Sequence, residues 1–188
     1  NSEAPRTKPA SLRELRGDRV LLRELVEADA TERYVRWMND SEIVRFLESR
    51  YTAHTAEDVL DYVREVRADP NSLMWAICSA DSGEHVGNIK LGPVDWIHRR
   101  GDIGLMIGER SVWGQGYATE AILLLSEYAF SDLRLHKLMA GMYVENLGSQ
   151  KAFEKAGFNL EGTRRSHFWT GDRYTDAFEM TRFKEVDS

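Results

Sequence analysis

The chain holds one cysteine and four prolines in 188 residues, and no apolar run approaches the ~20 residues needed to cross a bilayer. The lone thiol, Cys78 in the apolar run MWAIC, excludes a disulfide framework and a cysteine-rich metal site. A strand-buried cysteine also disfavours a covalent acyl-enzyme route. Five histidines (His54, His85, His98, His136, His167) are scattered without the close spacing of paired ligands, so no metal is expected. Positive charge is short as well: 25 Lys and Arg against 31 Asp and Glu leave a net −6, which argues against a general nucleic-acid binder. What remains, 42% hydrophobic and 30% charged, describes one soluble domain large enough for a real core, with no membrane partner and a cytoplasmic location expected.

The most informative stretch runs from Asp102 to Phe130. It reads as an apolar strand, a polar connection, a Gly-x-Gly-x-Ala turn (Gly114, Gly116, Ala118) and an amphipathic helix. Apolar side chains recur at Ala118, Ala121, Ile122, Leu125, Tyr128 and Ala129, which is helical spacing with one buried face. Glycines where a strand feeds a helix let backbone approach a ligand, and the helix's free N–H groups then make an anion site. A P-loop would need Gly-Lys-Ser/Thr, and the chain has Gly116-Tyr117-Ala118. A dinucleotide fold would want an acidic strand end roughly 20 residues on, where the chain has barely left the helix. The remaining alternative is a turn that is glycine-rich only to pack helix on sheet.

Along the rest of the chain, residues 1–11 read as a flexible leader or expression remnant and residues 12–188 as the domain. Strands are expected over 19–25, 72–79, 85–91, 136–144, 158–168 and 173–182, besides the central one. Helices are expected over 28–37 and 55–66, with a short helical piece over 42–47, and over 147–156 with Gly157 as its left-handed cap. The pattern is α+β, a mixed, mostly antiparallel sheet flanked by helices.

Three motifs then coincide: Trp113-Gly-Gln-Gly-Tyr-Ala118, Asn146-x-x-Ser149 and Glu154-Lys-Ala-Gly-Phe158. In this order they resemble the GNAT superfamily of acyl-CoA N-acyltransferases, from Arg19 to Phe183. WGQGYATEA, LHKL and HFWTGDRYTD look like the ribosomal-protein N-terminal acetyltransferases. Residues 87–92 and 95–105 also look like polyamine and amino-sugar-nucleotide acetyltransferases.

The resemblance implies a single GNAT-like domain that takes acetyl-CoA as co-substrate. It assigns the pyrophosphate to the backbone of Gly114, Gln115, Gly116, Tyr117 and Ala118, with Thr119 as a hydroxyl donor and Trp113 opening the turn. It lays the pantetheine along Leu105, Met106 and Ile107, where an N–H near Ile107 would stabilise an oxyanion. Asn146 would stand beside the pantetheine, be a plain helix N-cap, or both. Asp102, where relatives carry a glutamate, is the candidate base. Many relatives place a tyrosine acid at the position of Phe153, and a phenyl ring has no proton to give. Ser149 is named as the replacement acid, with Tyr143 in reserve. Trp37, Glu48, Tyr51, Trp96, His98 and Arg99 could border the acceptor, and Arg99, Arg100, Arg164 and Arg165 could meet a nucleotide-sugar phosphate.

The expected activity is acetyl transfer to a primary amine of a small molecule, an amino sugar or a polyamine. A protein N-terminal acetyltransferase, a non-catalytic CoA-binding sensor and a nucleotide-binding interaction domain are the alternatives. Homodimerisation is left open.

Overall fold

The computed structural model describes residues 7–185. Eight strands form one sheet in the order β1-β2-β3-β4-β5-β6-β8-β7. They are β1 (Leu15–Arg16), β2 (Val20–Glu24), β3 (Leu73–Ser79), β4 (His85–Asp95), β5 (Arg100–Ile107), β6 (Lys137–Tyr143), β7 (Asn159–Trp169) and β8 (Tyr174–Phe183). Every neighbouring pair is antiparallel except β5 with β6. Four α-helices flank the sheet: α1 (Glu32–Asn39), α2 (Ala56–Ala68), α3 (Tyr117–Ser131) and α4 (Leu147–Lys155). Among the described residues no helix is long and apolar enough to cross a membrane.

β3 shows how both faces come to be covered. Its residues Leu73, Trp75 and Ile77 join the cluster under α3, with Ala121, Ile122, Leu125 and Ala129. The alternate residues Met74, Ala76 and Cys78 pack with Val63 and Val66 of α2. A strand buried on both faces reads as a continuous apolar run, which is how MWAIC appears in the sequence. Cys78 is a free, buried thiol in that layer.

Local signals set several boundaries. Thr55 and Asp58 form a capping box at the start of α2. Gly157 adopts φ +87 after α4, while Phe158 N–H closes back on the Phe153 carbonyl at 3.0 Å.

Two expected helices change. The segment expected to start a helix at Ala28 instead makes a 3-10 turn over Glu27–Asp29, and α1 begins at Glu32 behind the cap Thr31. Asp29 is held there, buried, by a two-pronged ion pair with Arg23 (2.7 and 2.8 Å) and by the Val26 N–H. The helical piece expected over 42–47 is irregular, and a 3-10 turn follows at Glu48–Tyr51. There the Asp40 carboxylate takes the Glu42 N–H (3.0 Å), a local bond that competes with helix formation. Of the expected leader, residues 1–6 lie outside the described residues. Lys8 is tied to the end of α2 by bonds to the carbonyls of Val66, Arg67 and Asp69.

Candidate active site

The sheet splits where its one parallel pair runs out. β5 and β6 match only at Arg100↔Lys137, Gly101↔Leu138 and Asp102↔Met139. Past that point β5 stays with β4 as far as Ile107, and β6 stays with β8 as far as Tyr143. A wedge opens between residues 103–107 and 140–143, and the wedge-facing backbone groups of β5 have no strand partner there. A narrow ligand that supplies amide hydrogen bonds along its length fits such a slot. Leu105, Met106 and Ile107, the sequence candidates for the pantetheine arm, line its β5 side.

The wedge leads to the start of α3. Gly114 (φ +73) and Gly116 (φ +82) both take left-handed backbone, which explains the two glycines, and Gly116 caps the helix without a side-chain hydrogen bond. The first amides of a 15-residue helix are therefore left for a ligand at its positive end. Gln115 is used locally, its side chain donating to the Ser111 carbonyl (2.6 Å). Trp113 donates its indole N–H to the Ile107 carbonyl (3.0 Å) and so ties the end of β5 to the turn. Tyr117, Ala118 and Thr119 form the first helical turn, half-buried.

Arg19 was not expected at this turn. Glu120 accepts the backbone N–H groups of Asp18, Arg19 and Val20 (3.1, 2.7 and 2.7 Å), anchoring the β1–β2 turn on α3. That brings the Arg19 side chain to 3.8 Å from where a Cβ on Gly116 would stand. Arg19 is exposed and has no ion-pair partner among the described residues, so it is a cation suited to a phosphate. Its position comes from a contact about a hundred residues away in sequence, and no local pattern signals it.

Asp102, Gly104 and Met106 share the sheet face that looks toward α1 and α2, by strand periodicity. Burial pushes the Asp102 carboxyl up, and Glu179 adds to the rise while Arg164 and Arg100 oppose it. Glu179 lies opposite Gly141 on β8 and pairs with Arg164 at 3.1 Å. A carboxyl raised in this way is a stronger base than a solvated one.

On the same side of the sheet lies a cavity of about 500 Å³, bounded by α1, α2 and the 47–49 segment and floored by β3, β4 and β5. Gly104, Leu105 and Met106 line it, so it adjoins the wedge. At its mouth Glu48 accepts the Tyr143 hydroxyl (2.9 Å). Tyr143 ends β6, stacks on Phe168 (centroids 4.0 Å apart) and lies under the Arg50 guanidinium. Burial and the Glu48 carboxylate raise its hydroxyl well above an ordinary tyrosine.

The remaining candidates divide. Asn146 does cap α4, its side-chain oxygen accepting the Ser149 N–H (3.2 Å), which leaves its amide N–H groups for another partner. Ser149 is half-buried in the first turn of α4. Phe153 is a core residue, buried and edge-on to Phe158 at 5.0 Å. Trp37 is buried against Gly108 and donates to Glu109 (3.1 Å). Tyr51 is exposed, bonded to the Trp169 carbonyl, and does not line the cavity. Trp96, His98 and Arg99, expected to border the acceptor, sit at the β4–β5 hairpin tip and do not line the cavity. Arg100 pairs with Asp95 at that same tip, and Arg165 is exposed on β7.

The glycine turn, α3 and the Asn146-capped α4 stand in the order that the resemblance to the acyl-CoA N-acyltransferases requires. The Acetyltransferase (GNAT) domain family matches residues 19–159. The chain is 28% identical over 175 residues to the uncharacterized N-acetyltransferase YoaA of Bacillus subtilis, covering 91% of this chain and 98% of the relative. It is 29% identical over 167 residues to the spermidine N(1)-acetyltransferase of Escherichia coli K12, covering 88% and 86%. The fold matches that of the ribosomal alpha-N-protein acetyltransferase RimL in complex with coenzyme A, with a TM-score of 0.83 at 16% identity over 93% of this chain and all of that one. The chain belongs to the GNAT acetyltransferase family. It is an N-acetyltransferase with acetyl-CoA as its co-substrate.

Proposed function

We propose that the acceptor is a small molecule bearing a primary amine, and that acetyl passes to it directly without a covalent enzyme intermediate. The observation that carries this reading is the cavity of about 500 Å³ joined to the β5–β6 wedge, a volume in the range of small-molecule sites. Bound acetyl-CoA supplies the activated acetyl group. In this reading the Gly114–Thr119 turn and Arg19 hold the phosphates, and Leu105, Met106, Ile107 and Asn146 hold the arm. An amine with a pKa near about 10 must lose a proton before it attacks, and Asp102 takes it directly or through water. The leaving thiolate is protonated by Ser149 or by solvent, since Phe153 has no proton to give.

Amino sugars and polyamines are the acceptor classes suggested by the motifs, and a protein N-terminus is the alternative. The test is acetyl-CoA-dependent thiol release across polyamines, amino-sugar nucleotides, aminoglycosides, simple monoamines and short peptides. Release with small amines and none with peptides supports the reading. Release with peptides alone replaces it by protein acetylation, and release with nothing, while acetyl-CoA still raises the melting temperature, replaces it by a CoA-binding sensor.

A further inference from the structure

Within that acetyltransferase reading, on which this inference rests, the cavity has a chemical character that narrows the acceptor. Much of its lining is apolar or aromatic: Tyr34, Met38, Val59, Met74 and Met106. Tyr34, Val59 and Met74 are buried, so the end they line is shielded from bulk solvent. Of its two carboxylates, Asp58 takes the Thr55 N–H (2.7 Å) and hydroxyl (2.9 Å) on one oxygen, at the start of α2. Glu48, at the mouth, takes the Tyr143 hydroxyl on one oxygen, and that bond to the end of β6 makes it the carboxylate beside the wedge where an ammonium would sit. Lys90 lines the same cavity and carries the opposite sign. A polyamine brings several cations and favours a carboxylate for each, whereas this cavity has one carboxylate at the wedge and places a lysine among its walls.

A second, independent feature lies at the deep end. Asn88 is 2% exposed and lines the cavity. Its side-chain oxygen is bonded to the His85 ring nitrogen (2.8 Å), but its NH₂ nitrogen has no hydrogen-bond partner among the described residues. The Tyr34 hydroxyl is its polar neighbour. An amide nitrogen has two hydrogens, so even one shared with that hydroxyl leaves another unmet. Buried donors left unmet are destabilising, and a ligand oxygen would satisfy this one.

We infer that the acceptor is a monoamine with an apolar, alkyl or arylalkyl body that carries one oxygen acceptor. The ammonium sits at Glu48 beside the wedge, the body fills the space between Met38, Val59 and Met74, and the oxygen reaches Asn88. The amine is then next to Gly104 and Met106, on the face that also carries Asp102.

The experiment measures binding apart from transfer. The intact protein, saturated with coenzyme A so that no acetyl is available, is titrated calorimetrically with n-alkylamines from butyl to octyl, 4-methoxyphenethylamine and spermidine. The expected result is an affinity gain of about fourfold per buried methylene until the cavity is full. Spermidine is expected to bind at least tenfold more weakly than 4-methoxyphenethylamine. Met38→Trp, at a partly exposed wall position, should weaken 4-methoxyphenethylamine at least tenfold while leaving coenzyme A affinity unchanged. Glu48→Gln should weaken every amine in the series by a similar factor.

A flat chain-length series, tighter binding of spermidine, or indifference to both variants overturns the inference. If Met38→Trp fails to fold, the wild-type chain-length series and Glu48→Gln decide it. The same amines are then assayed with acetyl-CoA. Tight binding without turnover would defeat the transferase reading and leave the cavity assignment standing. Turnover of spermidine that ignores Met38→Trp would do the reverse.

Discussion

Replacing Gly116 by alanine isolates the phosphate turn from the rest of the fold. Gly116 has φ +82, where a residue with a Cβ is strained by about 1–2 kcal/mol. Sterically the new methyl is harmless, because its nearest neighbours are Arg19 atoms at 3.8 Å, ordinary contact distance. The position is exposed, and the residues around it are held by α3 and β5 rather than by each other. In the free variant the turn can therefore relax away from the left-handed region, and the melting temperature should change by no more than about 2 °C. Binding a pyrophosphate requires the left-handed turn again, so the avoided strain returns as lost affinity. By linkage the loss equals that strain, about 5- to 30-fold in the dissociation constant of coenzyme A. Calorimetry with coenzyme A gives that number, and kcat/KM for acetyl-pantetheine, which lacks the pyrophosphate, supplies the control. Equal weakening toward both ligands, or unchanged affinity for coenzyme A in a folded variant, would refute the assignment of phosphate to this turn.

Gly108→Ala should behave oppositely and act on stability. Its Cβ would stand 2.1–2.4 Å from the Trp37 indole, and displacing that buried ring costs about 1–3 kcal/mol in urea unfolding; an unchanged midpoint would mean that Trp37 moves freely. Asp102→Asn should separate rate from stability. The folded carboxyl is raised, so its contribution to stability is complete below the unfolded pKa and is lost as pH rises through the folded one. At neutral pH the amide is therefore neutral or stabilising in a thermal melt, while kcat/KM loses the limb that rises as Asp102 deprotonates; a wild-type pH–rate profile would remove Asp102 as the base. Phe153→Tyr should not raise turnover, because the ring is in the core against Phe158, and its new hydroxyl should destabilise by about 1–3 kcal/mol. A faster Phe153→Tyr enzyme would show that the ring edge reaches the wedge after all.

The parts of this molecule that could be read from sequence are those fixed by neighbours in the chain. Thr55 and Asp58 announce α2 because the capping box closes over three residues. Gly157 ends α4 and Gly116 starts α3 because left-handed backbone is a local demand. Where a contact outside a segment's own periodicity decides, the local reading slips. The helix expected from Ala28 is delayed to Glu32, and Arg23, six residues upstream on β2, captures Asp29 in the 3-10 turn that comes first. Arg19 and Glu179 reach the site by long-range contacts, one through Glu120 and the other through register with Gly141. The cavity was illegible for the same reason: Tyr34, Val59, Met74 and Asn88 come from four elements, and each looks like an ordinary core residue in its own segment.

The wedge itself left a trace that is easily misread. Gly104 and Gly141 sit inside β5 and β6, where glycine weakens a strand and normally marks a bulge or a close backbone approach. No backbone presses on either. A Cβ on Gly104 would meet nothing within 4 Å, and one on Gly141 only a Glu179 oxygen at 3.8 Å. Both residues are exposed, lie beyond the last paired step of β5 with β6, and flank the opening on the face that carries Asp102. Protein packing gives no reason for either to lack a side chain. Space for what enters between the strands accounts for both, and under the proposed function it would make two weak strand positions the sequence-level mark of the slot for acetyl and amine.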